Sequence, residues 1–469
     1  MSRWLRARAP RGTARARHRA DLKRWANWAV STEASAAPTR TWTNWAGNQK
    51  SRVRRIATPG STAEVAQVVR EAAGQGLAVK PVGTGHSFTP VAVTDGVLVR
   101  LEHLARLRSA DKASGLVTVE AGMPLWRFNE LLAEQGLALT NMGDIQEQTV
   151  SGAIGTGTHG TGKASASIAA QVAALELVLA DGSTVSCSAT ERPELFEAAR
   201  IGLGAIGVIT SVTFRTEPAF LLAAQEEPMR LDAVLDSFDQ LWQDNEHFEF
   251  WWFPHTDTTM LKRNNRTAGP AAPLSRGRTW FEDEFLSNTF YSGLLKAGRS
   301  APRAVPAINK LAARALSARS YTDRSDKVFT SPRRFKFLEM EYALPRAATV
   351  PALREVRRML QDAGLRISIP IEVRTAPADK LWLSTAYGRD TAYLAFHMPN
   401  GVSPTEYFEN AESIMVAYDG RPHWGKLHTR DRDYFATAYP RFDDFLAVRD
   451  KADPQRVFAN AYTRRVFGS

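Results

Sequence analysis

The 469-residue chain is long enough for two or three domains, and its 44% hydrophobic and 23% charged content is that of an ordinary globular protein. No run of 18 apolar residues exists, so no transmembrane helix is expected, and the single cysteine, Cys187, excludes an intrachain disulfide and suits a cytoplasmic protein. The net charge of +11 is concentrated: residues 1–40 hold ten Lys/Arg against two Asp/Glu, leaving only +3 for the rest. That basic tail lacks the apolar stretch of a secretory signal. It reads as a solvated extension, an upstream translation start, or an arm touching nucleic acid or anionic lipid.

After "TWTNWAGNQ", Ser61 and Glu64 have capping-box spacing, and Val65, Val68, Val69 and Ala72 fall on one helical face. "LAVKPVG", "DGVLVRL" and "GLVTVEAG" follow as strands, then a helix from Pro124 to Gln135 and a further strand at "LALTNMG". "VAALELVLADGSTVSCS" reads as two strands around an Asp181-Gly182 turn, and "GVITSVTFRTEP" closes the block as a strand near Pro218. The order is α+β, not the regular βαβ alternation of a doubly wound fold. "HFEFWWFPHTD" and "FLEMEYALP" are aromatic strands of a second block. Between them, Arg263 to Lys327 suggests loops and an amphipathic helix around "AINKLAARAL", with its arginines on a solvated basic face. From "ATVPALREVRRMLQDAGLRISIPIEVR" onward, helix and strand alternate again.

Two glycine-rich segments stand out, "PVGTGHSF" (Pro81–Phe88) and "SGAIGTGTHGTG" (Ser151–Gly162). Gly155, Gly157 and Gly160 match G-x-G-x-x-G, but a nicotinamide loop needs a buried strand before it and an acidic ribose ligand after it. Here the preceding "QEQTVSG" is polar and short, and Asp181 reads as turn chemistry. Glycine loops also bring backbone N–H groups to a pyrophosphate without a long helix, and two of them could hold one dinucleotide between two lobes. Glu372 and Arg374 of "IPIEVR" lie two apart on a strand, hence on one face, either aimed together into a site or forming a surface ion pair. No Cys/His group has metal-ligand spacing.

"NWAGN", "PVGTGHSFTPVAVTDGVLV", "GDIQEQTVSGAIGTGTHGTG", "GAIGVIT", "PIEVR", "RPHWGK" and "DPQRVFANAYTRRVFG" occur in this order from about residue 41 to the end. In this the chain resembles the FAD-linked oxidoreductases of the vanillyl-alcohol-oxidase type, in the sugar-1,4-lactone oxidase or dehydrogenase branch. The resemblance implies an α+β fold: a two-subdomain FAD-binding domain over 41–218, an α+β cap (substrate) domain over 219–418, and a C-terminal segment, 419–469, returning to the flavin. It implies that Val82, Gly83, Thr84, Gly85 and Ser87 wrap the FAD pyrophosphate from one side. Ser151, Gly152, Gly155, Thr156, Gly157, Thr158 and Gly160 would do so from the other, with Ile209 beside the adenine half. His86 would carry the FAD covalently, and His159 either contacts the flavin or bonds its own backbone. Glu372, Arg374, Lys426 and, at a strand position near the substrate, His397 form the implied catalytic set.

The implied reaction is oxidation of an L-gulono- or D-arabinono-1,4-lactone at the 2-hydroxyl carbon by hydride transfer to flavin N5, with oxygen or another redox acceptor taking the electrons away. Arg374 and Lys426 would stabilise the developing alkoxide, and Glu372 would orient substrate or accept a proton. An alditol oxidase acting on xylitol or sorbitol is the nearest alternative. A nucleic-acid-binding protein on an inactive flavin fold is a more distant one, opposed by the confinement of basic charge to the tail. Peripheral membrane attachment of a cytoplasmic enzyme is left open.

Overall fold

In the computed structural model, which describes residues 40–164 and 167–469, Ser61 caps a helix over Thr62–Gly74 by accepting from the Glu64 N–H at 3.2 Å. The Glu64 carboxylate accepts in turn from the Gly60 N–H at 2.9 Å, one residue earlier than a standard capping box. Val65, Val68, Val69 and Ala72 bury their side chains with Ala57, Val79, Val97 and Val99. Those partners belong to a parallel three-stranded sheet of Arg55–Ala57, Val97–Arg100 and Val79–Val82, in that spatial order. The basic tail of residues 1–39 lies outside the described residues.

A five-stranded antiparallel sheet forms the second lobe, in the order Thr184–Ser188, Val172–Val178, Val208–Arg215, Leu116–Glu120 and Leu107–Asp111. The Asp181-Gly182 turn is as the sequence suggests: Gly182 has φ +77°, and Asp181 Oδ1 accepts from the Ser183 N–H at 2.8 Å. The helix expected from Pro124 spans Leu125–Glu134, while the strand expected at "LALTNMG" shrinks to Leu137–Ala138.

The second block is built on an eight-stranded antiparallel sheet. Its spatial order is Arg319–Arg324, Leu221–Arg230, Thr258–Thr267, His247–Trp252, Ile371–Ala376, Thr391–Pro399, Phe337–Pro345 and Arg421–Pro422. Helices Thr349–Asp362 and Thr405–Ala417 cover one face. Strand alternation decides what meets them: Val373, Leu394, Phe396, Met340 and Tyr342 pack with Leu353, Val356, Tyr407 and Met415. The intervening residues necessarily point the other way, and they are Glu372, Arg374, Tyr393, His397, Glu339 and Glu341. One buried sheet face is therefore apolar, and the opposite one is densely charged.

The stretch 263–327 departs from expectation. It contributes a sheet strand at each end and a helical run between them, Arg276–Thr279, Trp280–Phe290 (wound as a π-helix), Tyr291–Ser300 and Val305–Arg314. Arg276, Arg278, Arg299, Arg303 and Arg314 are exposed, in keeping with a solvated basic face, while other arginines of the stretch are held in ion pairs. Arg319 bonds Glu226 at 2.7 Å, Asp283 at 2.9 Å and Glu282 at 3.0 Å, and Arg266 grips Glu217 through two bonds of 2.7 Å. Among the described residues, no helix is long and apolar enough to cross a membrane.

The chain end ties the two blocks together. Ala343 and Tyr342 pair with Arg421 and Pro422 at the edge of the large sheet. A few residues later, the Gly425 carbonyl accepts from the Phe88 N–H at 2.7 Å. Further on, Val457 accepts from the Val79 N–H, and Asn460 donates to the carbonyls of Pro90, Val91 and Val93. Lys426 is thereby carried from the sheet edge to the loop that follows strand Val79–Val82.

Candidate active site

Between the two lobes of the first block lies a cleft. Val82, Gly83, Thr84, Gly85, His86 and Ser87 line one side, and Ser151, Gly152, Gly155 and Thr156 another, with Ile209 beyond. Gly157, Thr158, His159 and Gly160 are not in the lining; the chain has turned away toward the sheet of the second block. Thr149 caps the short helix Val150–Gly155 by accepting from the Gly152 N–H. Gly202, Leu203, Gly204 and Ile206 also line the cleft; the sequence marked "GAIGVIT" as part of the resemblance but singled out only Ile209 from it as a site residue.

The cleft fits a dinucleotide. The backbone N–H groups of Thr84, Gly85 and Ser87 find no acceptor among the described residues, leaving donors for an anionic group. Gly85 holds φ +73°, with Trp42 3.1 Å from the position of a Cβ, so both conformation and space demand glycine there. At Gly155 a Cβ would meet nothing within 4 Å, so any side chain would stand in the cleft itself. His86 stacks on Trp45 at 5.2 Å. Burial, followed by the Lys426 charge, pushes its imidazole down to about 3, so the ring is neutral at physiological pH.

The charged sheet face gathers the remaining candidates. Register places Glu249 opposite Arg374, Glu372 opposite Ala395, Ala395 opposite Glu341, and His397 opposite Glu339. Arg374 and Glu372 are each 9% exposed, so they form no surface pair. Arg374 Nη2 is 2.5 Å from Glu372 Oε1, and its Nε is 3.1 Å from Glu249 Oε2. Burial, opposed by Arg374 and reinforced by Asp144 and Glu249, raises Glu372 to about 7. Arg374 is held firmly protonated by Glu372, Glu249 and Asp144 despite its burial.

Lys426 Nζ lies 2.5 Å from Glu339 Oε2 and 5.2 Å from the centre of the Phe88 ring. His397 Nε2 is 3.7 Å from Glu339 Oε1, and its Nδ1 bonds the Pro370 carbonyl at 3.0 Å. Glu339 thus sits between two candidates that sequence reading did name, and was itself overlooked. His159 stacks on Tyr393 at 3.5 Å, bonds the Gly160 carbonyl through Nδ1, and meets Glu341 Oε1 through Nε2 at 3.0 Å. Burial opposes the ionised Glu341, but His159, His423 and Lys426 keep its carboxyl well below the usual range. His159, Glu341 and His423 offer ligand-type atoms within 4.8 Å of one another. His423 Nδ1 already accepts from the Gly425 N–H at 3.0 Å, and both His159 nitrogens are engaged. His159 and Glu341 are thus bonded to each other and His423 to its own loop, rather than left open for coordination.

A glycine-lined cleft and a neighbouring sheet face of buried charges are compatible with an FAD-linked oxidoreductase, and an FAD binding domain model matches residues 53–188. The D-arabinono-1,4-lactone oxidase family model matches residues 212–466. L-gulono-1,4-lactone dehydrogenase of Mycobacterium tuberculosis is 40% identical over 91% of this chain and 99% of its own length. L-gulonolactone oxidase of Scyliorhinus torazame is 37% identical over 90% and 97%, and alditol oxidase of a Streptomyces species is 33% identical over 90% and 98%. Cholesterol oxidase from B. sterolicum shares the fold, with a TM-score of 0.79 at 18% identity over 93% of this chain and all of that one. The chain belongs to the D-arabinono-1,4-lactone oxidase family of vanillyl-alcohol-oxidase-type flavoproteins.

Proposed function

We propose that this enzyme oxidises a sugar 1,4-lactone, L-gulono- or D-arabinono-1,4-lactone, at the carbon bearing the 2-hydroxyl, with oxygen or another acceptor restoring the cofactor. The family model and the lactone names of the relatives at 40% and 37% identity favour a lactone over an alditol. The observation that carries the site assignment is the charged sheet face bearing Glu372 and Arg374, with Lys426 delivered between Glu339 and the His86 loop. Val82–Ser87, Ser151, Gly152, Gly155–Gly160 and Ile209 are the residues that hold FAD or shape the loops around it. His86 is its covalent attachment point: it lines the cleft, and its imidazole is held in the neutral form, the form able to attack carbon. One buried cysteine fits a reducing, cytoplasmic setting.

Bound FAD supplies the hydride acceptor. The protein supplies fixed charge and a proton acceptor around the substrate hydroxyl. Arg374 and Lys426 stabilise negative charge that develops on the substrate oxygen, and they act in a site where little water competes. Glu372, poised near neutrality, takes the hydroxyl proton onto its carboxylate. Glu339 fixes the Lys426 ammonium, and His397 orients the other end of that carboxylate. Arg374→Ala and Lys426→Ala should each slow substrate-driven flavin reduction by about 10²–10³, with flavin content retained. Stopped-flow absorbance reads the rate, and native rates in both variants would overturn the site.

A further inference from the structure

Asp144 stands on the loop that runs from Leu137–Ala138 into the helix Val150–Gly155, on the approach to the cofactor cleft. Its side chain engages the other block. Asp144 Oδ2 is 2.9 Å from Arg333 Nη2, and Oδ1 accepts from the Ser331 hydroxyl at 2.8 Å. The Asp144 carbonyl accepts from the Ser331 N–H at 3.0 Å, and Oδ1 lies 4.0 Å from Arg374 Nη2. Among the described residues, three carboxylates lie within 4.0 Å of the Arg374 guanidinium. Glu372 and Glu249 come from its own sheet; Asp144 alone comes from the cofactor side. Building on the reading of Arg374 and Glu372 above, we propose that Asp144 is a positioning residue that locks the cap arginines Arg333 and Arg374 to the loop entering the FAD cleft.

The charge balance supports this role. Asp144, Glu249 and Glu372 oppose Arg333, Arg374 and Lys262, whose Nζ is 3.6 Å from Glu249. Burial would raise the Asp144 carboxyl, but Arg333 and Arg374 outweigh it and hold the group ionised. Removing that charge leaves buried cations short of a partner, so Arg333 and Arg374 must seek others. Glu372 is the nearest. The groups facing it are Arg374 on its own strand, Glu249 on one neighbouring strand and Glu341 across Ala395 on the other side. Asp144 faces it from the cofactor loop, and Arg333 from the segment after Phe329. Among these, Asp144 favours the protonated Glu372 and Arg333 the ionised one, so the two halves of the lock pull its titration in opposite directions.

Asp144→Asn and Arg333→Met test this in the holoenzyme, with Arg374→Ala as reference and flavin reduction followed against pH. Misplacing Arg374 in Asp144→Asn should slow reduction by about 10–10² while flavin content stays native. The proton acceptor must be ionised, so activity falls on the acid side of its titration. That acid limb should move to lower pH in Asp144→Asn and to higher pH in Arg333→Met. A purely structural tie would slow both variants without opposite movements of the limb, and would overturn the proposal. Native rate and pH profile in Asp144→Asn beside a slow Arg374→Ala would also overturn it, leaving the assignment of Arg374 intact. A native-rate Arg374→Ala would defeat that assignment and this proposal with it. Should Asp144→Asn fail to fold, Arg333→Met decides: an upward shift supports the lock, and no shift refutes it.

Discussion

His86 is half-buried, stacked on Trp45, and kept neutral by its surroundings and by the Lys426 charge. Those properties suit a covalent tether, because a protonated imidazole has no electron pair to give. Acid precipitation of the native enzyme should carry flavin fluorescence down with the protein, and His86→Ala should release it. Flavin found wholly in the native supernatant would contradict the tether. Glu339 shows the complementary case, a residue whose importance emerges only from its partners. "FLEMEYALP" places Glu339 and Glu341 two apart, the same spacing that drew attention to Glu372 and Arg374. Acidic residues alternating with apolar ones on a strand were a readable signal; the aromatic character of the segment masked it. Asp144 offered no such signal, since its Ser331 partner lies 187 residues away.

At the scale of elements, alternation does most of the positioning. Each central strand of the large sheet sends one set of residues into the helix-covered core and the other set to the charged face, so a shift of one residue would exchange them. Capped helices and the Asp181-Gly182 turn were legible because their determinants are local. Thr258–Thr267 was not, because its inward positions include Lys262 and Asn264, buried polar residues that break the expected apolar pattern. Trp280–Phe290 escaped for another reason: a π-helix does not follow the 3.6-residue period by which helices are read. The cleft element offers a clean test at Gly155. At Gly155 a Cβ would meet no atom within 4 Å, so the side chain of Gly155→Val enters the cleft, and the variant should purify folded and free of flavin. Circular dichroism and the flavin-to-protein absorbance ratio check this; a fully yellow variant would show that FAD does not pass that residue.

Across the whole molecule, the C-terminal segment joins the large sheet to the cofactor lobe through Gly425, Val457 and Asn460, while His159 and Asp144 make further crossings. The site depends on both blocks, since the cleft comes from one and the charged face from the other. The basic tail precedes the motifs that carry the family resemblance, the first of which is "NWAGN". Deletion of residues 1–39 should accordingly leave flavin content and turnover close to native, and a colourless truncation would contradict that. The most direct test of the central claim is anaerobic mixing of the purified enzyme with L-gulono-1,4-lactone, D-arabinono-1,4-lactone, xylitol and sorbitol, following the flavin absorbance near 450 nm, about where oxidised flavins absorb. Rapid bleaching by a lactone, with the alditols slow or inert, is the predicted result; bleaching by an alditol alone, or by none of the four, would contradict it.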